Sequence, residues 1–219
     1  MKYLICIFMI VVGAILNGCV TAVVYNPSYL NTELQNKPVS ANCKAFVYTT
    51  EVDDNLVYIG SPSSMTGSVY VIEIPLGIIT KEITQSVFNQ VCLGGTHVIK
   101  DLKTVSASDL VVYSKVNRFN YRYNDAKNLG LAVTAQVRIV LDVSIIDSSG
   151  HAYYTGEYDS GYVDGDTYLF HLSPIENVNK LTHKVVYELM SQAASKIVTR
   201  QSTGKVGINN KSQDLLLTP

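Results

Sequence analysis

Between Leu131 and Ile145 every odd position is apolar: Leu131, Val133, Ala135, Val137, Ile139, Leu141, Val143 and Ile145. Thr134, Gln136, Arg138, Asp142 and Ser144 stand at even positions. Successive side chains of a strand point to opposite faces, so this run is a strand with one buried and one wet face. A strand this long cannot hide its apolar face alone. The remaining elements must therefore cover it.

Two stretches carry the period of a covering helix. Leu76, Ile79, Ile83, Val87 and Val91 recur at three- and four-residue steps, which stacks them on one helical face. Pro75 suits the start of that helix, and Gly94-Gly95 after Cys92 stops it. Val178, Leu181, Val185, Leu189, Ala193 and Ile197 form a second stripe. Ser173-Pro174-Ile175-Glu176 before it reads as a capping box, and the helix should end near Arg200.

Strands are expected at Ala45–Thr50, around Leu56–Ile59, at Val69–Ile74 and, in short form, at His97–Ile99. Leu110–Tyr123 is a strand whose apolar parity switches. Leu110, Val112 and Val116 share one side, whereas Phe119, Tyr121 and Tyr123 take the other parity. A bulge near Asn117 reconciles them. Asp147-Ser148-Ser149-Gly150 turns the chain back into His151–Val163, with Tyr154, Tyr158 and Tyr162 on one side. These tyrosines are a candidate partner surface. They equally suit packing beneath the helices. The expected fold is α+β: an antiparallel meander sheet with two amphipathic helices packed on one face.

The N-terminus points to export. A single charge at Lys2 precedes an uncharged apolar run from Tyr3 to Leu16, too short to span a bilayer comfortably. The run ends Leu16-Asn17-Gly18-Cys19, which resembles the bacterial lipobox. That resemblance implies cleavage after Gly18, with Leu16 as the aliphatic position, and acylation of Cys19. Acyl chains contribute about 0.8 kcal/mol per buried methylene, so a multiply acylated cysteine anchors a protein without a spanning helix. Val20 follows the cysteine; the lack of Asp there leans toward the outer rather than the inner membrane. The expected organisation is a signal peptide at 1–18, a lipidated tether at 19–42, a periplasm-facing α+β domain at 43–200 and a flexible tail at 201–219.

Of four cysteines, Cys6 leaves with the signal and Cys19 takes lipid. Cys43 and Cys92 remain, and in an oxidising compartment they are expected to pair; the alternative is two unpaired buried thiols. Lys and Arg number 17 against 18 Asp and Glu, and no basic face stands out, so nucleic acid is excluded as a partner.

No catalytic constellation is present. His97, His151, His171 and His183 are not spaced as metal ligands with each other or with cysteine. Asp164-Gly165-Asp166 and Asp53-Asp54 read as polar turns, and Asp147 with His151 as a solvated one. No cofactor, metal or enzymatic activity is expected.

The lipobox, the Leu76–Val91 helix, the strand carrying Arg118-Phe119-Asn120-Tyr121, the Leu131–Ile145 strand with Gly150, and the Ser173–Arg200 helix together resemble small periplasm-facing lipoproteins. These include YajG-like lipoproteins and the auxiliary lipoproteins of ABC-type envelope transporters; lipoproteins of cell-envelope secretion machines are similar too. The resemblance implies a non-enzymatic accessory or structural component of the cell envelope. Its expected partners are the membrane, through the lipid, and proteins of a transport or assembly machine. The alternative is a module binding a lipid or small amphiphile between sheet and helices.

Overall fold

The alternating segment forms a strand over Ala132–Ile146, and its odd residues from Val133 to Ile145 are all buried. The structure is a computed structural model that describes residues 20–30, 41–64, 71–106, 109–124, 132–146, 149–169 and 174–202. In chain order the strands are β1 (Val20–Ala22), β2 (Ala45–Tyr48), β3 (Tyr58–Gly60), β4 (Val71–Ile74), β5 (Thr96–Ile99), β6 (Leu110–Asn124), β7 (Ala132–Ile146), β8 (Ala152–Asp159) and β9 (Val163–Leu169). The α-helices are α1 (Glu51–Asp54), α2 (Leu76–Val91) and α3 (Pro174–Ser202), and single 3₁₀ turns lie at Pro27–Tyr29 and Leu102–Thr104.

β6 and β7 pair antiparallel along nearly their whole length. Val116 faces Leu141 and Arg118 faces Val140, so Asn117 is the extra residue of a bulge. The bulge returns Phe119, Tyr121 and Tyr123 to the side of Val112 and Val116, as the parity switch required. On the other edge of β7, β8 pairs with its second half and β9 with its first. Sequence analysis did not separate β9. The two form one line interrupted at Ser160–Tyr162, where Ser160 N–H donates to the Ile139 carbonyl and Ile139 N–H donates to Ser160 Oγ.

The α+β class holds, but the sheet is not a pure antiparallel meander. β2 runs parallel to both β5 and β6, giving the order β5-β2-β6-β7-β8. The physical reason is that a helix intervenes between β2 and β5. A strand–helix–strand crossover returns the chain in its original direction. A second, three-stranded sheet has the order β1-β4-β3, with β1 parallel and β3 antiparallel to β4.

Both long helices cover one face of the main sheet. Ile79, Ile83, Val87 and Phe88 of α2 and Val178, Leu181, Val185 and Leu189 of α3 share one core with the odd residues of β7. Burying each such side chain contributes about 1.5–3 kcal/mol. Polar bonds fix the register of these layers. Thr84 Oγ1 on α2 lies 3.0 Å from Ser114 Oγ on β6, and Tyr187 on α3 donates to Gln90 Oε1 on α2. The opposite face of the sheet carries a small cluster of Phe46, Val105 and Val111. Ser173 of the expected capping box lies outside the described residues.

The small sheet joins the large one through aromatic rings. Tyr58 packs against Phe119 and Tyr121, and Tyr121 donates to the Gly60 carbonyl. α1 packs against the first turn of α2 at Gly77, whose N–H donates to the Leu56 carbonyl. A Cβ at Gly77 would fall on the Asp53 carbonyl oxygen. Gly77→Ala is therefore expected to cost about 1–3 kcal/mol as an overpacking change. Denaturant unfolding of the variant beside the parent checks this, and an unchanged midpoint would refute the close approach.

Candidate functional site

The segment that follows Cys19 is built into the domain. β1 pairs with β4, and Val23 N–H extends the ladder to the Glu73 carbonyl. The chain then crosses to α3. Asn179 Nδ2 donates to the Val24 carbonyl, and Asn26 N–H donates to His183 Nε2 at 3.0 Å. His183 Nδ1 lies 2.9 Å from the Asn179 carbonyl, which can only accept. Those two partners define a neutral imidazole protonated at Nδ1. Tyr25 stacks on the imidazole and Tyr29 meets it edge-on, both at 5.3 Å between ring centroids. Leu30 closes the crossing from inside the core. The tether expected over 19–42 is thus not a loose linker at residues 20–30. The rings of Tyr25 and Tyr29 against His183 and the buried Leu30 offset the chain freedom given up.

Sequence reasoning missed His183 and Asn179. They lie one helical turn apart and flank the apolar stripe, the one available signal. Their partners stand 157 and 155 residues away, so no local pattern exposes the contact.

The expected lipidation site Cys19 and its motif residues Leu16 and Gly18 lie outside the described residues. Among the described residues no helix is long and apolar enough to cross a membrane. Cys43 and Cys92 are bonded, with their Cα atoms 4.8 Å apart. The bond ties the approach to β2 to the end of α2. There Ala41 N–H donates to the Val91 carbonyl and Gly94 N–H to the Cys43 carbonyl.

The three tyrosines do not form one stripe. Tyr154 and Tyr158 lie opposite Ile145 and Leu141 and so face the helices; their hydroxyls meet at 2.5 Å. Burial, with the Tyr154 contact, pushes the Tyr158 hydroxyl well above its ordinary pKa. Tyr162 follows the Gly161 turn, whose φ is +59°, and packs beneath the Arg122 guanidinium 3.8 Å away. It belongs to the wet face. There Arg122 donates to Gln136, Gln136 donates to Asp164, and Arg138 pairs with Asp159. Arg138 and the Gly161 N–H hold the Asp159 carboxyl down to about 2.

The acidic candidates have structural employment. Asp53 closes a capping box with Thr50 and accepts from the Tyr113 hydroxyl. Asp54 pairs with Lys81 and Lys100; burial pulls its carboxyl up, and the bonds from Lys100 and Thr49 hold it below the ordinary range. Asp164 and Asp166 point to different partners, Gln136 and Lys180. His151 lies 2.8 Å from Ser149 Oγ, while Asp147 and His171 fall outside the described residues. His97 lies against Phe46. No metal-holding group occurs among the described residues.

A cavity lined by Asp54, Gly77, Thr80 and Ser114 among others holds about 10 Å³, room for one water. Ligand pockets measure about 300–1,000 Å³. The interface between sheet and helices, where a small amphiphile was the alternative expectation, is filled by Ile79, Ile83, Phe88, Ile139, Leu141 and Met190, none exposed.

No protein-family model matches the sequence, and no curated protein matches it. Among solved structures, the chain is similar to a protein of Xanthomonas campestris at 10% identity and TM-score 0.47, covering 85% of this chain and 99% of that one. It is similar to PelC of Paraburkholderia phytofirmans, a dodecamer, at 11% identity and TM-score 0.40, covering 72% and 91%. It is also similar to rare lipoprotein B of Shewanella oneidensis at 10% identity and TM-score 0.31, covering 74% and 96%. At these identities and TM-scores the likeness carries no functional argument.

The clasp makes stability depend on pH. Burial lowers the His183 pKa against the opposing pull of the Asn179 carbonyl. The groups facing the ring are Tyr25 and Tyr29, with Glu82 of α2 acting on Tyr25. Above about pH 6.5 the ring is neutral folded and unfolded, and its stabilisation is complete. As pH falls, the unfolded chain takes the proton first, so stability drops until the folded pKa is passed. His183→Phe keeps a ring but leaves Asn26 N–H unpaired, at a cost of about 1–3 kcal/mol. Denaturation at several pH values should show that loss at neutral pH and a flatter slope below pH 6.5. Separately, removing the disulfide by Cys43→Ser with Cys92→Ser opens a crosslink of sequence separation 49. The chain-entropy relation gives a loss of about 4 kcal/mol, to be read from denaturant midpoints.

Proposed function

We propose that this chain is a lipoprotein anchored through Cys19, a non-enzymatic accessory or structural component of the bacterial cell envelope. The observation that carries the reading is the junction at residue 19. A short basic start and an apolar run end at Leu16-Asn17-Gly18-Cys19, and the next residue, Val20, opens a strand fastened to the folded body. An acylated Cys19 would then hold the domain at the membrane with no slack at residues 20–30. Val20, rather than Asp, favours the outer membrane with the domain facing the periplasm.

The accessory role is supported by the employment of Asp53, Asp54, Asp164 and His183 in structural bonds. Its partners are protein components of a transport or assembly machine. β8 ends the main sheet and carries the exposed Tyr153, so a partner could add there by strand pairing or aromatic contact. The small-amphiphile alternative loses ground, because the expected groove is occupied by core side chains.

Intact mass of the protein extracted from bacterial membranes tests the anchor. The expected species starts at Cys19 and carries two or three acyl chains, and Cys19→Ala should lose both the acyl mass and the membrane fraction. An unprocessed Met1 start without acyl mass would overturn the proposal.

A further inference from the structure

The three-stranded sheet has two unlike faces. Register places Ala22, Glu73 and Ile59 side by side on β1, β4 and β3, and two residues away Val20 stands beside Val71. This is the outer face. Val20 is 53% exposed and Ile59 62% exposed, and Ala22 is exposed as well. Val57, two residues before Ile59, is exposed too. The inner face carries Ile72 and Ile74, both fully buried in the core. So the sheet has a core side and an uncovered apolar side, and among the described residues of its strands Glu73 is the single ionisable residue of the latter. Alternation normally puts polar residues on an uncovered face. This face breaks that rule on β1 and β3, while β4 between them contributes the half-buried Val71 and Glu73.

What covers it is indicated by where the chain comes from. Val20 lies on this face, and one peptide bond, about 3.8 Å between Cα atoms, separates it from Cys19. The geometry points to the outer face of β1-β4-β3 as a lipid-contact surface, resting on the membrane to which Cys19 is anchored. This rests on the lipoprotein reading above and adds an orientation to it. Three strands about 4.8 Å apart carry Ile59 roughly 10 Å sideways from β1, so contact there requires the domain to lie down on the membrane. With Glu73 and no Lys or Arg among the described strand residues of the face, the contact is apolar and does not call for anionic lipid.

The chain contains no Trp, so one introduced indole reports its own surroundings. The test uses the lipidated chain reconstituted in phosphatidylcholine vesicles containing lipids brominated near the headgroup. Acyl mass on Cys19 and co-flotation are checked in the same sample. Ile59→Trp is expected to lose about half or more of its emission to the bromines. Tyr153→Trp, 46% exposed on β8, is expected to lose little. Val57→Trp repeats the reading if the first variant misfolds. An acylated, floating chain whose indole at 59 is quenched no more than that at 153 overturns the surface while leaving the anchor intact. A chain without acyl mass that does not float overturns the anchor, and the lipid-contact surface falls with it.

Discussion

One strand carries paired neighbours on both edges and an unbroken apolar face. β7 is that strand, and β6, β8, β9, α2 and α3 are placed by the need to pair with it or to cover it. β6 takes one edge, and β8 with β9 takes the other. The two long helices then lie over the odd residues, where their apolar stripes and the strand's apolar face are removed from water together. A one-residue slip of β7 would turn its whole apolar set outward. The Asn117 bulge matters for that reason: it keeps the second half of β6 in phase with β7 after the first half has run out of register.

Elements governed by β7 are the ones the sequence makes legible. The stripes of α2 and α3 and the parity switch in β6 are local signatures of burial, and each is found where its period places it. The direction of β2 is not local. Its parallel pairing with β5 follows from the crossover through α2, and that with β6 from the further connection after β5; no period in Ala45–Tyr48 reveals either. Tyr162 was placed with Tyr154 and Tyr158 by counting in fours. The positive φ at Gly161 breaks the count and turns the ring to the other face.

The candidate site was less legible than the fold for the same reason. Val20-Thr21-Ala22 is too short to read as a strand in its own right, and it becomes one only because β4 offers an edge. His183 looks like one more helix residue until Asn26 N–H is seen to donate to it. The first depends on a contact with β4, well along the chain, and the second on a contact with the last described helix. Together they turn residues 20–30, which read as a linker, into a fixed part of the body.

The separation of those partners also sets an order of events. A chain is made from its N-terminus, and domains complete as units once their parts are available. Val20–Leu30 is among the first segments to appear, whereas Asn179 and His183 come 155 and 157 residues later than the groups they hold. Closing so long a loop must wait for the last helix. Until then β1 can pair only with β4, and Asn26 and Val24 lack their partners on α3. Once α3 folds, Tyr25 and Tyr29 meet His183, and Asn26 N–H and the Val24 carbonyl find their partners. The contact is therefore a late one: the first described segment reaches its final place only when the last helix is in position.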